Sequence, residues 1–131
     1  MTSWTVEMVA ALNQSDELEI AARRSDGTLT RFVPIWVVCV DDDVYVRTWH
    51  RRETGWYGRA VQTREAQVRL GSNNIDVAVS TDTDDALRPR VDAAYREKYS
   101  RYGTGTVDRM VNDSAAQTTL RLTPGKRVTT L

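Results

Sequence analysis

The run from Arg31 to Val40 (RFVPIWVVCV) restricts this chain more than any other stretch. Past Arg31 it is almost continuously apolar and rich in β-branched residues. A segment of that kind cannot leave either face in water, so it predicts a central strand covered on both sides, by a barrel core and by something else. Pro34 sits inside it and has no N–H to give to a ladder, which predicts a bulge or a locally unpaired edge there. Turn signals bracket the run: Ser25-Asp26-Gly27 before it and Asp41-Asp42-Asp43 after it.

The neighbouring segments follow from periodicity. Leu18, Ile20 and Ala22 alternate with Glu17, Glu19 and Arg23, which predicts a half-buried strand over 17–24. Val44 to Trp49 returns from the Asp41–Asp43 tip as a third strand. Residues 4–13 place Val6, Val9, Ala10 and Leu12 on one face of a short helix, with Thr5 or Ser3 as N-cap. A helix over 55–64 precedes two strands, 66–70 and 75–80, joined by the turn Gly71-Ser72-Asn73-Asn74. Asp82 or Asp84 then caps a longer helix over about 85–101, with Pro89 in its first turn and Leu87, Val91, Ala94, Tyr95 and Lys98 or Tyr99 on its inner stripe. Residues 102–114 offer two glycines and at most one helical turn, 118–122 a last strand, and 124–131 a fraying tail. The order α-β-β-β-α-β-β-α-β, mostly antiparallel, predicts one α+β barrel domain over 1–131.

Charge is balanced overall, with 18 basic and 18 acidic side chains, so nothing global points to nucleic acid or an anionic membrane. Locally it is not balanced. Between Val44 and Arg64 stand Arg47, Arg51, Arg52, Arg59 and Arg64, with His50, against the single acid Glu53. A cationic strand-to-helix turn beside Trp49, Trp56 and Tyr57 suits a phosphate-bearing aromatic molecule, with guanidinium forks and helix amides on the phosphate and flat side chains on the ring. The lone Cys39 excludes an internal disulfide and a cysteine-based metal framework, and no metal site is read elsewhere. No apolar run nears the roughly 20 residues that span a bilayer, and the N-terminus does not read as a signal peptide, so the expected location is cytoplasmic.

The ordered motifs Leu18-Glu19-Ile20-Ala21, Arg24-Ser25-Asp26-Gly27, Val33-Pro34-Ile35-Trp36-Val37-Val38, Val44-Tyr45-Val46-Arg47-Thr48-Trp49, Gly55-Trp56-Tyr57 and Asp92-Ala93-Ala94-Tyr95-Arg96-Glu97-Lys98-Tyr99 cover about residues 4–123. In that order the chain resembles the split-barrel flavin-binding superfamily. Within it, the chain is most similar to a small family of uncharacterised bacterial proteins related to the deazaflavin (coenzyme F-420)-dependent nitroreductases. The resemblance implies a split β-barrel and a homodimer with two identical FMN or deazaflavin sites. It implies that Pro34, Ile35 and Trp36 pass the ring. Arg47, Thr48, Trp49, Arg51 and Arg52 would meet the phosphate, and Trp56 and Tyr57 would open the helix below it. The turn Trp49-His50-Arg51-Arg52 departs from those relatives, which carry a small Ser-Lys-Gly-Gly type segment. It is bulky, and either fills the phosphate pocket or tightens it.

Each candidate also has a plainer reading. Arg47, Arg51 and Arg52 could pair with Asp41, Asp42 and Asp43 at the surface, and Trp36, Trp49, Trp56 and Tyr57 could simply pack the core or an interface. His50 is the one side chain that ordinarily titrates near neutrality and could serve as general acid or haem ligand. Tyr95 and Tyr99 could donate a proton, although Tyr95 reads as core and Tyr99 as rim. The first expectation is a flavin- or deazaflavin-dependent oxidoreductase acting on a small organic molecule. The alternative is a cofactor-free enzyme or ligand-binding protein on the same fold.

Overall fold

The computed structural model describes residues 4–48, 55–81 and 84–125. In chain order these form α1 (Val6–Gln14), β1 (Leu18–Ala22), β2 (Val33–Ile35), β3 (Val37–Val40), β4 (Asp43–Val46), α2 (Trp56–Thr63), β5 (Glu65–Leu70), β6 (Asn73–Ser80), α3 (Leu87–Tyr99), α4 (Thr104–Val111), α5 (Asp113–Ala116) and β7 (Leu120–Pro124), with one 3-10 turn at Ser100–Tyr102. The strands pair antiparallel in the order β2-β1-β5-β6-β7-β4-β3. This is an α+β split barrel.

The 31–40 run is therefore not one central strand. It breaks at Trp36 into the two outermost strands of the sheet, β2 against β1 and β3 against β4. The covalent link Ile35-Trp36-Val37 carries the chain across the barrel seam. Pro34 takes part in the register with Glu19 on the edge strand, where a missing N–H is tolerated, and the interruption falls two residues later.

Both faces of β3 are nevertheless covered, as its composition demands. Val37, Val44 and Val46 point into the barrel with Leu18, Ile20, Val68, Val77, Leu120 and Leu122, and α1 plugs one side with Leu12. Val38, Val40 and Tyr45 point outward into a second cluster with Val91, Tyr95 and Tyr99 of α3 and Val107, Met110 and Val111 of α4. α3 is the cover that the apolar run required.

Local signals explain the element ends. Thr5 caps α1 by accepting the Met8 amide at 3.1 Å. Leu12 is the buried residue of that helix, while Val6 is 84% exposed, so the inner face runs through Met8, Val9 and Leu12 and excludes Val6 and Ala10. Asp41 and Asp42 both adopt positive φ, 51° and 68°, the two-residue turn whose twist suits a tight hairpin. Asp84 accepts the Ala86 amide ahead of α3, and Asp82, the other cap candidate, lies outside the described residues. The segment 102–114 holds α4 and the start of α5, two helices that its glycines concealed. No helix among the described residues is long and apolar enough to cross a membrane.

Candidate functional site

The break at Trp36 creates a cleft of about 410 Å³. One wall is the strand corner Val33, Pro34, Ile35 and Trp36, and the opposite wall is Thr106, Arg109 and Met110 of α4. Arg47 and Thr48 at the end of β4, Gly55 and Trp56 at the start of α2, and Glu17 complete it. The volume lies in the range usual for small-molecule sites, and the wall is largely apolar with a few polar groups, which is the ordinary composition of such sites.

Trp36 is held by stacking. Its ring lies parallel to that of Tyr99, with centroids 4.0 Å apart and planes 1° apart, and Tyr102 tilts against both. Tyr99 in turn is fixed at its hydroxyl, which accepts the Val37 amide at 3.0 Å and donates to the Asp16 carbonyl at 2.8 Å. Lys98, the next residue back, donates to the carbonyls of Leu12 and Val37, both at 2.7 Å. These bonds pin the corner where β2 ends and β3 begins, so the orientation of Trp36 is set by the C-terminal end of α3.

Arg47 is 1% exposed. Its Nε donates to Thr119 Oγ1 at 2.8 Å, and its Nη1 to Asp92 Oδ1 at 2.6 Å and to the Met110 carbonyl at 2.8 Å. Asp92 also faces Arg88, and Arg88 reaches Asp113. The Arg47 guanidinium lies 5.5 Å from the Tyr95 ring centre. Its Nη2 is buried and finds no hydrogen-bond partner among the described residues. Thr48 is tied down through its amide, which Thr118 Oγ1 accepts at 2.9 Å. The geometry makes Arg47 the cation that joins β4 to α3, α4 and the loop before β7. The expected bidentate phosphate fork on Arg47 is not available, because two of its three nitrogens are already engaged inside the protein.

Of the residues singled out from the sequence, the structure brings Pro34, Ile35, Trp36, Arg47, Thr48 and Trp56 to one cleft. Tyr57 packs on the barrel core beside Trp56, ring edge to ring face. Trp49, His50, Arg51 and Arg52 lie outside the described residues. Tyr95 and Tyr99 are both fully buried core residues and neither lines the cleft, which corrects the expectation of Tyr99 at a rim. Cys39 is half-buried beside Lys98, and burial pushes its thiol up. Sequence reasoning missed Arg109, Thr106 and Met110, because α4 was not legible. Asp92 has a signal in the sequence, since its i, i+3 spacing to Tyr95 places the two on one face of α3.

Burial pushes the hydroxyls of Tyr95 and Tyr99 well above their usual range. A folded value above the unfolded one stabilises the protein below the unfolded value and is lost as pH rises past it. Alkaline unfolding is therefore expected to begin above about pH 10, with stability falling by up to about 1.4 kcal/mol per pH unit for each tyrosine. Lys98, held below its usual value by burial, opposes this only until its unfolded counterpart also loses its proton. Urea unfolding followed against pH checks the slope. Tyrosinate absorbance from these two groups in the still-folded protein at their ordinary value would contradict it.

Solved structures carry the same fold. The conserved hypothetical protein Rv2991 from Mycobacterium tuberculosis matches with a TM-score of 0.62 and 15% identity, over 97% of this chain and 83% of that one. HutZ, the haem storage protein from Vibrio cholerae, matches with a TM-score of 0.62 and 12% identity over 94% and 89%. An F420-H2-dependent reductase matches with a TM-score of 0.57 and 13% identity over 82% and 93%. Among curated proteins no match was found. The seven-stranded barrel, opened at Trp36, is thus a split barrel, the fold that these structures share. Its family follows from the sequence: residues 8–122 match DUF2255, described as uncharacterised proteins conserved in bacteria, and the chain belongs to that family.

Proposed function

We propose that the cleft binds a flavin or deazaflavin and that the protein is an oxidoreductase acting on a small organic molecule. The observation that carries this reading is the convergence of three elements on one cleft: the Pro34–Trp36 corner, the Arg47–Thr48 end of β4, and the Gly55–Trp56 start of α2. The resident groups fit such a cofactor. Trp36 and Trp56 offer flat apolar walls, and Arg109 stands as a cation on the opposite wall. Pro34, Ile35, Trp36 and Trp56 would hold the ring, and Thr48 with the turn that follows it, where Trp49, Arg51 and Arg52 stand, would hold the phosphate end. The bound cofactor would supply the hydride; the chain's own residues orient it and exclude water. The similarity of fold to a deazaflavin-dependent reductase supports this reading at the level of architecture. A homodimer with two identical sites, working in the cytoplasm, is part of the same proposal.

A cofactor-free ligand-binding protein is the second reading, and one observation favours it. Arg47 is engaged internally with Asp92, Thr119 and Met110, which leaves the phosphate end to Arg51 and Arg52. The double variant Arg51→Ala, Arg52→Ala is therefore expected to weaken FMN or deazaflavin binding at least tenfold in a fluorescence titration. Full cofactor occupancy in that variant would refute the phosphate assignment.

A further inference from the structure

Trp36 is the first of three rings that run from the cleft wall to the protein surface. Packing alone usually sets aromatic pairs about 4.5–7 Å apart, offset or edge to face. Trp36 and Tyr99 are closer, with centroids 4.0 Å apart and planes within 1° of parallel. Tyr102 lies 5.4 Å from Trp36 and 6.1 Å from Tyr99, tilted 38° against each, and is 43% exposed. Overlap at such separations lets an electron pass from ring to ring, and indole and phenol are the side-chain rings that most readily give one up. The surface end also has a place for a proton. Tyr102 donates its hydroxyl to Asp16 Oδ2 at 2.8 Å, and Asp16 is paired with Arg101. Arg101 and then Tyr102 hold the Asp16 carboxyl below its usual range, so it stands ionised. The Arg101 guanidinium lies 5.0 Å from the Tyr102 ring centre and opposes a positive charge there, so an electron leaves Tyr102 only together with its proton. Tyr99 is no end point. Its hydroxyl donates to the backbone carbonyls of Asp16 and Val37, which do not hold a proton near neutrality, and Lys98 Nζ lies 5.2 Å from its ring centre.

We propose that Trp36, Tyr99 and Tyr102 form a one-electron relay from the protein surface to an oxidant in the cleft, with Asp16 as the proton acceptor at the surface end. An oxidant against the cleft wall, such as a flavin-type ring excited by light, takes one electron from the Trp36 indole and is itself reduced by one electron. The Trp36 cation radical then takes an electron from Tyr102, directly or across the Tyr99 ring. The phenolic proton of Tyr102 passes to the Asp16 carboxylate. A neutral tyrosyl radical and a carboxylic acid are left at the surface, and Trp36 is restored. The relay rests on the proposed cofactor only as the source of the oxidant, and it gives the cleft a path for single electrons that hydride transfer does not use.

The test supplies the oxidant from outside. Azidyl radicals, made from azide by pulse radiolysis, oxidise indole in preference to phenol. Trp56 and Tyr57 also touch, so every protein tested carries Tyr57→Phe to close that second path. Transient absorption is expected to show a tryptophan radical converting to a tyrosyl radical in a first-order step independent of protein concentration. Tyr102→Phe and Trp36→Phe each keep a flat ring and remove one redox partner, and each is expected to abolish the step. Tyr102 is exposed, so its variant carries the test alone should Trp36→Phe not fold by circular dichroism. Asp16→Asn keeps an oxygen that accepts the Tyr102 hydroxyl but cannot take its proton, and is expected to slow the step at least threefold. No such step in the parent, or an unchanged step in Tyr102→Phe, would overturn the relay, and an unchanged rate in Asp16→Asn would overturn the proton acceptor. Retention of FMN and of the deazaflavin is measured separately by gel filtration. The step without retention of either cofactor would keep the relay and remove the oxidoreductase reading, and the reverse result would do the opposite.

Discussion

Arg47→Met is expected to lower folding stability by about 3–5 kcal/mol, the usual cost of removing one partner from a buried ion pair. The side chain fits by volume, so the loss does not come from a cavity. It comes from what is left behind. Asp92, whose side chain is 21% exposed, keeps its charge with Arg88 at 3.6 Å as its remaining ion-pair partner among the described residues. The Met110 carbonyl and the Thr119 hydroxyl lose their donor in a buried setting. Because Arg47 joins β4 to α3, α4 and the loop before β7, the far wall of the cleft should loosen with it. Urea unfolding gives the magnitude, and hydrogen exchange over Thr104–Val111 should rise in the variant. A stability loss below about 1 kcal/mol would show that the buried network contributes little beyond an exposed pair. The double change Arg47→Met, Asp92→Leu should recover much of the loss, since both charges are then gone.

Tyr99→Ala is expected to cost about 3–5 kcal/mol as well, by the different route of a large cavity in a packed core. Tyr99 is fully buried against Val38, Tyr95 and Trp36. Truncation removes the ring on which Trp36 stacks, and strands the Val37 amide that its hydroxyl accepts. The cleft wall should therefore change along with stability, and Trp36 fluorescence should shift toward that of a solvated indole in the folded protein. Tyr99→Phe separates the two contributions. It keeps the stack and loses the hydrogen bonds, so it should cost about 1–3 kcal/mol and leave Trp36 emission nearly unchanged. An equal fluorescence shift in both variants would mean that the hydroxyl, not the stack, orients the indole.

Much of this architecture is legible in the chain, because alternation and turn chemistry are local. Leu18, Ile20 and Ala22 declare β1 by themselves, and Asp41-Asp42 declares its hairpin. Where the fold departs from that reading, the cause is tertiary. A run apolar on both faces, such as 31–40, demands cover on both sides. It does not say whether the cover comes from lateral strands or from a barrel on one face and α3 on the other. The bend at Trp36 is invisible to periodicity, because a strand corner keeps both faces buried. α4 was obscured by Gly103 and Gly105, the first of which does take a positive φ of 93° at the helix start. The cleft was legible in part. Pro34, Trp36, Thr48 and Trp56 meet there, but an arginine in a strand looks the same in sequence whether it faces phosphate or an internal carboxylate. Only the placement of Asp92, Thr119 and Met110 around Arg47 distinguishes the two.

The most direct test of the central claim is the absorption spectrum of the purified protein, recorded before and after addition of FMN and, separately, of the deazaflavin, followed by gel filtration. A flavin-type band that stays with the protein and is lost in Trp36→Ala is the result the cleft geometry predicts, and which cofactor is retained decides between the two. A colourless protein that leaves the fluorescence of both cofactors unquenched would contradict the oxidoreductase and turn the cleft over to a cofactor-free ligand.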